Sequence, residues 1–133
     1  MNPDNIQRVI DQLLIEPDSR VEMENFWSLR KDNLIVCDYH TFEKFSKNPS
    51  CETAACLAGW VVHLWHRAGD DPICAIQEIF DIPMMTVLGL CYSEHWCYFP
   101  AYKEFHKANA EHSEREALIF LLTKLKNNEL ILE

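Results

Sequence analysis

The chain has 133 residues, the length of one ordinary domain, and 48% of them are hydrophobic, including seven Phe, four Tyr and four Trp. That composition excludes a disordered chain and supports a sizeable core. Its 21 acids against 12 bases leave a formal net charge of −9; such a chain is repelled by phosphate backbones, so direct nucleic-acid binding is not expected.

The opening MNPDNIQRVID has no apolar signal core, and the longest nearly uncharged run, residues 53–65, is too short to span a bilayer. A cytoplasmic protein with reduced thiols is expected. The six cysteines, Cys37, Cys51, Cys56, Cys74, Cys91 and Cys97, therefore do not read as a disulfide framework despite their even number.

In chain order, Asn2-Pro3 followed by Ile6, Val9, Ile10, Leu13 and Leu14 predicts a capped amphipathic helix that stops before Pro17. Residues 18–36 alternate in short runs, compatible with a small β-hairpin within 18–40 or with irregular loops. HTFEKFSKN offers a helical turn closed by Asn48-Pro49-Ser50. A helix then starts at Ser50 or Thr53 and stops around Gly69. Asp71-Pro72 is an N-cap with proline at the first helical position, and Ile73, Ile76, Ile79 and Phe80 give the stripe that follows. Pro83 opens a segment ending near Gly89, Ser93 caps a turn through HWCYF, and Pro100 opens a helix through His106. Ser113-Glu-Arg-Glu116 is a capping box ahead of Ala117, Leu118, Phe120, Leu121, Leu122 and Leu125. The fold expected is mainly α: a compact helical bundle in a single domain over 1–133.

The stretch CETAACLAGWVVHLWHR, residues 51–67, concentrates the reactive side chains. Projected at 100° per residue, Ala54, Leu57, Ala58, Val61, Leu64, Trp65 and Ala68 share an apolar face, with Cys56, Gly59, His63, His66 and Arg67 opposite. Cys56 and His63 are about 10.5 Å apart along such an axis, which is hard to reconcile with zinc–ligand distances near 2.0–2.3 Å. The pair His63 and His66 at i, i+3 is the better start of a metal set, and Cys51 and Cys56 could meet at the helix start. Cys91-x-x-x-His95-x-Cys97 and Cys37-x-x-His40 are further clusters, yet no paired CxxC occurs. No cofactor is expected, zinc being the metal this content admits. Ala55, Ala58 and Gly59 make a thin patch suited to close helix packing, with Trp60 at its edge, and this packing reading outweighs the site reading.

The box Cys51-Glu-Thr-Ala-Ala-Cys56-Leu-Ala-Gly-Trp60 resembles the Cys-Gly-Thr-x-x-Cys-x-Ala-Gly-Trp/His motif of small, largely uncharacterised bacterial and phage proteins. Leu88-Gly89-Leu90 and a final helix beginning at Ser113 with Ala117 extend the resemblance over residues 40–126. Glu52 departs from the motif's glycine. The resemblance implies an accessory role and no known reaction.

Between Arg67 and Lys103 there is no Lys or Arg, while Asp70, Asp71, Glu78, Asp81 and Glu94 fall there beside Met84, Met85, Tyr92, Trp96, Tyr98, Phe99 and Tyr102. Acids interleaved with aromatics and methionine suit a protein-binding surface facing a basic partner; the reading that the aromatics are core and the acids solvated helix ends carries more weight. The candidate contacts are Asp70, Asp71, Met84, Met85, Glu94 and Trp96. Phosphate-loop, HExxH, GxSxG and kinase signatures are missing. The reading is an acidic accessory protein acting by protein binding, in the manner of a phage-encoded inhibitor of a host defence or nucleic-acid enzyme. The alternatives are a metal- or thiol-dependent site on Cys51, Cys56, His63 and His66, and a nucleotide binder stacking a base on Trp60, Trp65 or Trp96.

Overall fold

The structure, a computed structural model, describes residues 1–21, 23, 28–29, 34–35, 53–67 and 70–131. Within them the chain is mainly α-helical. Six α-helices are described: α1 (Pro3–Ile15), α2 (Leu57–Trp65), α3 (Pro72–Phe80), α4 (Met84–Cys91), α5 (Pro100–Ala108) and α6 (Glu114–Lys126). Two 3-10 turns, Asp18–Arg20 and Ser93–Tyr98, join them.

Helix starts follow the chemistry read from the sequence. The Asn2 side chain accepts from the Asn5 N–H at 3.1 Å ahead of Pro3. Asp71 accepts from the N–H groups of Ile73 and Cys74 at 2.9 and 3.3 Å ahead of Pro72. Ser113 accepts from the Glu116 N–H at 3.1 Å. Each satisfies an orphan donor of the first turn, worth about 1 kcal/mol. Helix α1 buries Ile6, Val9, Ile10 and Leu13, whereas Leu14 is exposed.

The helices pack around one contiguous core whose largest fully buried side chains are Trp60, Trp96, Phe80 and Phe99. Helix α1 lies along α6, and Arg115 fastens the two. Its Nε donates to the carbonyls of Leu13 and Glu16 at 3.0 and 2.6 Å, and its Nη1 reaches Asp18 at 3.1 Å. A guanidinium thus covers the negative end of the α1 dipole while satisfying its last carbonyls. Asn5 ties α1 to α3 through the Ile79 carbonyl at 2.9 Å, and the Asn2 N–H reaches the Phe80 carbonyl at 2.8 Å. Helices α3 and α4 turn by 119° across Asp81, Ile82 and Pro83. No single helix among the described residues is long and apolar enough to cross a membrane.

Three sequence expectations are corrected. The hairpin expected within 18–40 is not supported as an element: Asp18–Arg20 is a 3-10 turn, and the described pairing is two residues per strand. Ser28 and Leu29 face Ile35 and Leu34 on one side, and Ala54 and Thr53 on the other. That is far short of the five or six residues of an ordinary strand. The helix expected from Ser50 or Thr53 to Gly69 is α2, which starts at Leu57 and ends at Trp65. The segment predicted to end near Gly89 runs on to Cys91. The turn expected in HTFEKFSKN, together with Cys37, His40 and Cys51, lies outside the described residues.

Candidate functional site

The start of α2 is built from backbone pairing. Val21 and Ala55 form a parallel bridge, and the Ala55 N–H donates to the Arg20 carbonyl at 3.2 Å. The same carbonyl accepts the Trp60 indole N–H at 3.1 Å, so one acceptor anchors both the strand end and the helix. Trp60 is 1% exposed, and the Arg20 guanidinium lies 5.5 Å from its ring centre. The small residues Ala55, Ala58 and Gly59 are all buried, as the packing reading expects.

Cys56 is not on a helical face at all. It is the N-cap residue, extended at φ −78° and ψ 179°, with its carbonyl accepting from the Trp60 N–H at 3.0 Å. Burial pushes its thiol pKa up, and the N–H groups of Gly59, Ala58 and Cys56 itself offset this only in part. A thiol raised in this way stays protonated near neutrality, the opposite of the activated nucleophile that a helix N-terminus favours.

His63 and His66 do not share a face either. Helix α2 ends in a Schellman motif: the His66 N–H bonds to the His63 carbonyl at 3.4 Å and the Arg67 N–H to the Val62 carbonyl at 3.0 Å. His66 takes the left-handed conformation at φ 55°, a position histidine tolerates better than most residues. Its exposed ring therefore leaves the helical projection, while the ring of His63 sits edge-on to Trp60 at 5.9 Å. No group of three or more His, Cys, Asp or Glu among the described residues could hold a metal ion. Cys51, the fourth member of the expected set, is outside them.

The acidic window divides in two. Asp70 is paired with Arg67, which also holds Glu78 at 2.8 Å, and these two carboxylates raise the Arg67 pKa, Glu78 first. Asp71 caps α3. Both acids nominated at 70–71 therefore have work inside the fold. Trp96 is 2% exposed and donates its indole N–H to the Leu90 carbonyl at 3.0 Å, so it cannot be a contact residue. Met84 packs partly against the core. Met85 is 65% exposed, and Glu94 is exposed with no partner for its carboxylate among the described residues.

What Glu94 has around it is an aromatic row. Tyr92 and Tyr98 are 45% and 54% exposed, and the ring of His95 lies between them at 5.4 and 5.8 Å. His95 leans back on the Leu88 carbonyl at 3.4 Å, one turn along α4 from Met85. A 3-10 turn makes this arrangement: at three residues per turn, positions 92, 95 and 98 eclipse one another. The same turn sends Trp96 and Phe99 inward. Sequence reading at helical periodicity misses the row because the period of three appears only with the 3-10 geometry.

A second unanticipated cluster sits where α5 turns into α6. His106 Nδ1 is 3.0 Å from His112 Nε2, and the Tyr102 hydroxyl is 3.4 Å from the same nitrogen. His112 Nδ1 is 3.1 Å from the Ser113 carbonyl. No sequence spacing signals this cluster, since it closes through the Asn109–His112 turn, where the His112 N–H meets the Asn109 carbonyl at 3.1 Å.

Of the tryptophans named for base stacking, Trp60 and Trp96 are core, and the Arg8 guanidinium covers one face of the half-buried Trp65, 4.5 Å from its ring centre. An open groove of about 560 Å³ beside it is lined by Asp4, Gln7, Arg8, Asp11, Gln12, Ile15 and Leu64, a mixed set without an acid–base pair held together. No family model matches the chain, and neither a curated protein nor a solved structure matches it.

Proposed function

We propose that this protein acts by binding another protein through the exposed face formed by Met85, Tyr92, Glu94, His95 and Tyr98. The observation that carries the reading is the Tyr92–His95–Tyr98 row, two exposed tyrosines flanking an imidazole on the same 3-10 turn as Glu94, whose exposed carboxylate has no partner among the described residues. Tyrosine and methionine supply large contact area at small entropic cost and are enriched in binding surfaces. The net charge of −9 and the exposed Glu94 favour a partner with a basic surface. The proposed setting is the cytoplasm, where the thiols stay reduced, and the proposed role is accessory: a phage-type inhibitor occupying a basic surface of a host defence or nucleic-acid enzyme. Direct contact with nucleic acid is not part of this reading.

The test is affinity capture of host proteins on the immobilised chain, run beside the double variant Tyr92→Ser/Tyr98→Ser and the single variant Glu94→Lys. A discrete partner retained by the native chain is expected to be lost from the double variant and weakened by Glu94→Lys. Both variants change exposed positions, so their melting temperatures should match the native protein. A partner retained equally by all three, or none at low salt, rejects the reading.

A further inference from the structure

The cluster at the α5–α6 turn has a donor arrangement that packing alone does not require. A carbonyl oxygen only accepts, so the 3.1 Å contact between His112 Nδ1 and the Ser113 carbonyl puts the ring proton on Nδ1. Nε2 of the neutral ring is then a bare lone pair. That lone pair accepts from His106 Nδ1 at 3.0 Å, with the Tyr102 oxygen at 3.4 Å beside it, so an ion taken between the two rings replaces the shared proton.

A histidine whose far nitrogen donates to a carbonyl is the usual condition of a metal ligand, because that bond fixes both tautomer and ring orientation. His112 has this bond. Its ring is further held by Phe105, with centres 5.2 Å apart, and Phe105 stacks on Phe120 at 4.4 Å. His106 is exposed and stacks on Tyr102 at 5.7 Å, so a modest ring rotation turns its nitrogen toward a shared ion. Imidazole nitrogens suit nickel(II), copper(II) and zinc alike.

The Tyr102 pKa is raised, by burial first and then by Cys97 in the preceding 3-10 turn and Glu114 at the start of α6. Glu114 also accepts the Met23 N–H at 3.1 Å, which holds it in place.

We infer that His106 Nδ1 and His112 Nε2, with the Tyr102 hydroxyl as a weaker third donor, bind one divalent ion of the class imidazole favours (nickel, copper or zinc), water completing its shell. This site is separate from the Tyr92–Tyr98 face and does not rest on that reading. It also differs from the Cys51, Cys56, His63 and His66 set, whose described members do not come together.

The experiment is calorimetric titration of the untagged, reduced full chain with nickel chloride at pH 7.5. One saturable equivalent is expected. His106→Gln should weaken it by more than about tenfold, a loss that even outer-sphere partners produce at metal sites. His112→Gln should do the same, and His66→Gln and His95→Gln should leave binding unchanged. Because His106 is exposed, its variant tests the site without disturbing the core. The inference is overturned by three results: no saturable binding in the native chain, native affinity in His106→Gln, or nickel–thiolate absorption bands showing that cysteine holds the ion.

Discussion

Residues 56–60 and residues 92–98 each carry a cysteine and a tryptophan close together, and the fold treats the two segments differently. In the first, Cys56 and Trp60 both go inside, along with Leu57, Ala58 and Gly59 between them. In the second, Trp96 goes inside while Tyr92, Glu94, Cys97 and Tyr98 remain exposed. Both indoles solve burial in the same way, by donating to a nearby carbonyl, that of Arg20 or of Leu90. The difference lies in the backbone. An α-helix starting from a paired strand end leaves the small residues no route to solvent, while a 3-10 turn at the edge of the core divides its side chains into an inner and an outer set.

Removing one aromatic from each segment should separate them by the widest margin. Trp60→Ala empties a fully enclosed site and abandons the hydrogen bond to Arg20, so a loss of about 3–5 kcal/mol is expected. Tyr98→Ala removes a side chain that is already half in water and should shift stability by less than about 0.5 kcal/mol. Urea unfolding followed by far-ultraviolet dichroism measures both. Comparable losses from the two variants would mean that the 92–98 segment is core as well, and the contact face would have to be sought elsewhere.

How far the sequence anticipates this arrangement depends on whether the signal is local. The starts of α1, α3 and α6 are legible because a cap and the N–H groups that donate to it lie within three residues of each other, as with Asp71 and Ile73. The start of α2 is not, because the pairing of Ala55 with Val21 spans 34 residues and withdraws residues 53–55 from the helix that their composition favours. The end of α2 is missed for a related reason: His66 in the left-handed region does the work usually given to glycine. Of the six nominated contact residues, Asp70, Asp71, Met85 and Glu94 keep an exposed position, the first two while pairing with Arg67 and capping α3. Trp96 does not, because hydrophobic content alone cannot show which side of a 3-10 turn a residue takes.

The next margin is smaller and concerns acids rather than aromatics. Asp71 and Glu94 look alike in the sequence, two carboxylates in a stretch free of Lys and Arg. Asp71→Ala deletes the acceptor of two first-turn N–H groups and should cost about 1 kcal/mol. Glu94→Ala should leave unfolding unchanged within error and act on partner capture alone. A stability loss at Glu94 equal to that at Asp71 would place Glu94 among the structural acids and remove the charge argument for a basic partner.

The smallest difference at neutral pH is between the thiols, and it grows only in alkali. Cys56 and Cys91 are buried; desolvation raises both pKa values, and Cys91 is raised further by the nearby Cys56. Cys97 is exposed, as is Cys74. For a thiol whose pKa is higher folded than unfolded, the folded chain holds more protons in the interval between the two values, so stability falls as pH rises through it. The contribution is complete below the unfolded value, near 9.0, and is lost progressively above it. The melting temperature should therefore be flat around neutrality and decline beyond about pH 9. Cys91→Ala should flatten that decline while lowering stability at neutral pH through the cavity it leaves, and Cys97→Ala should do neither. Peptide mapping after brief alkylation at pH 8 gives the same contrast without unfolding: Cys74 and Cys97 should label while Cys56 and Cys91 stay protected. Rapid labelling of Cys56 would show that the start of α2 opens readily, and would return that cysteine to consideration as a reactive group.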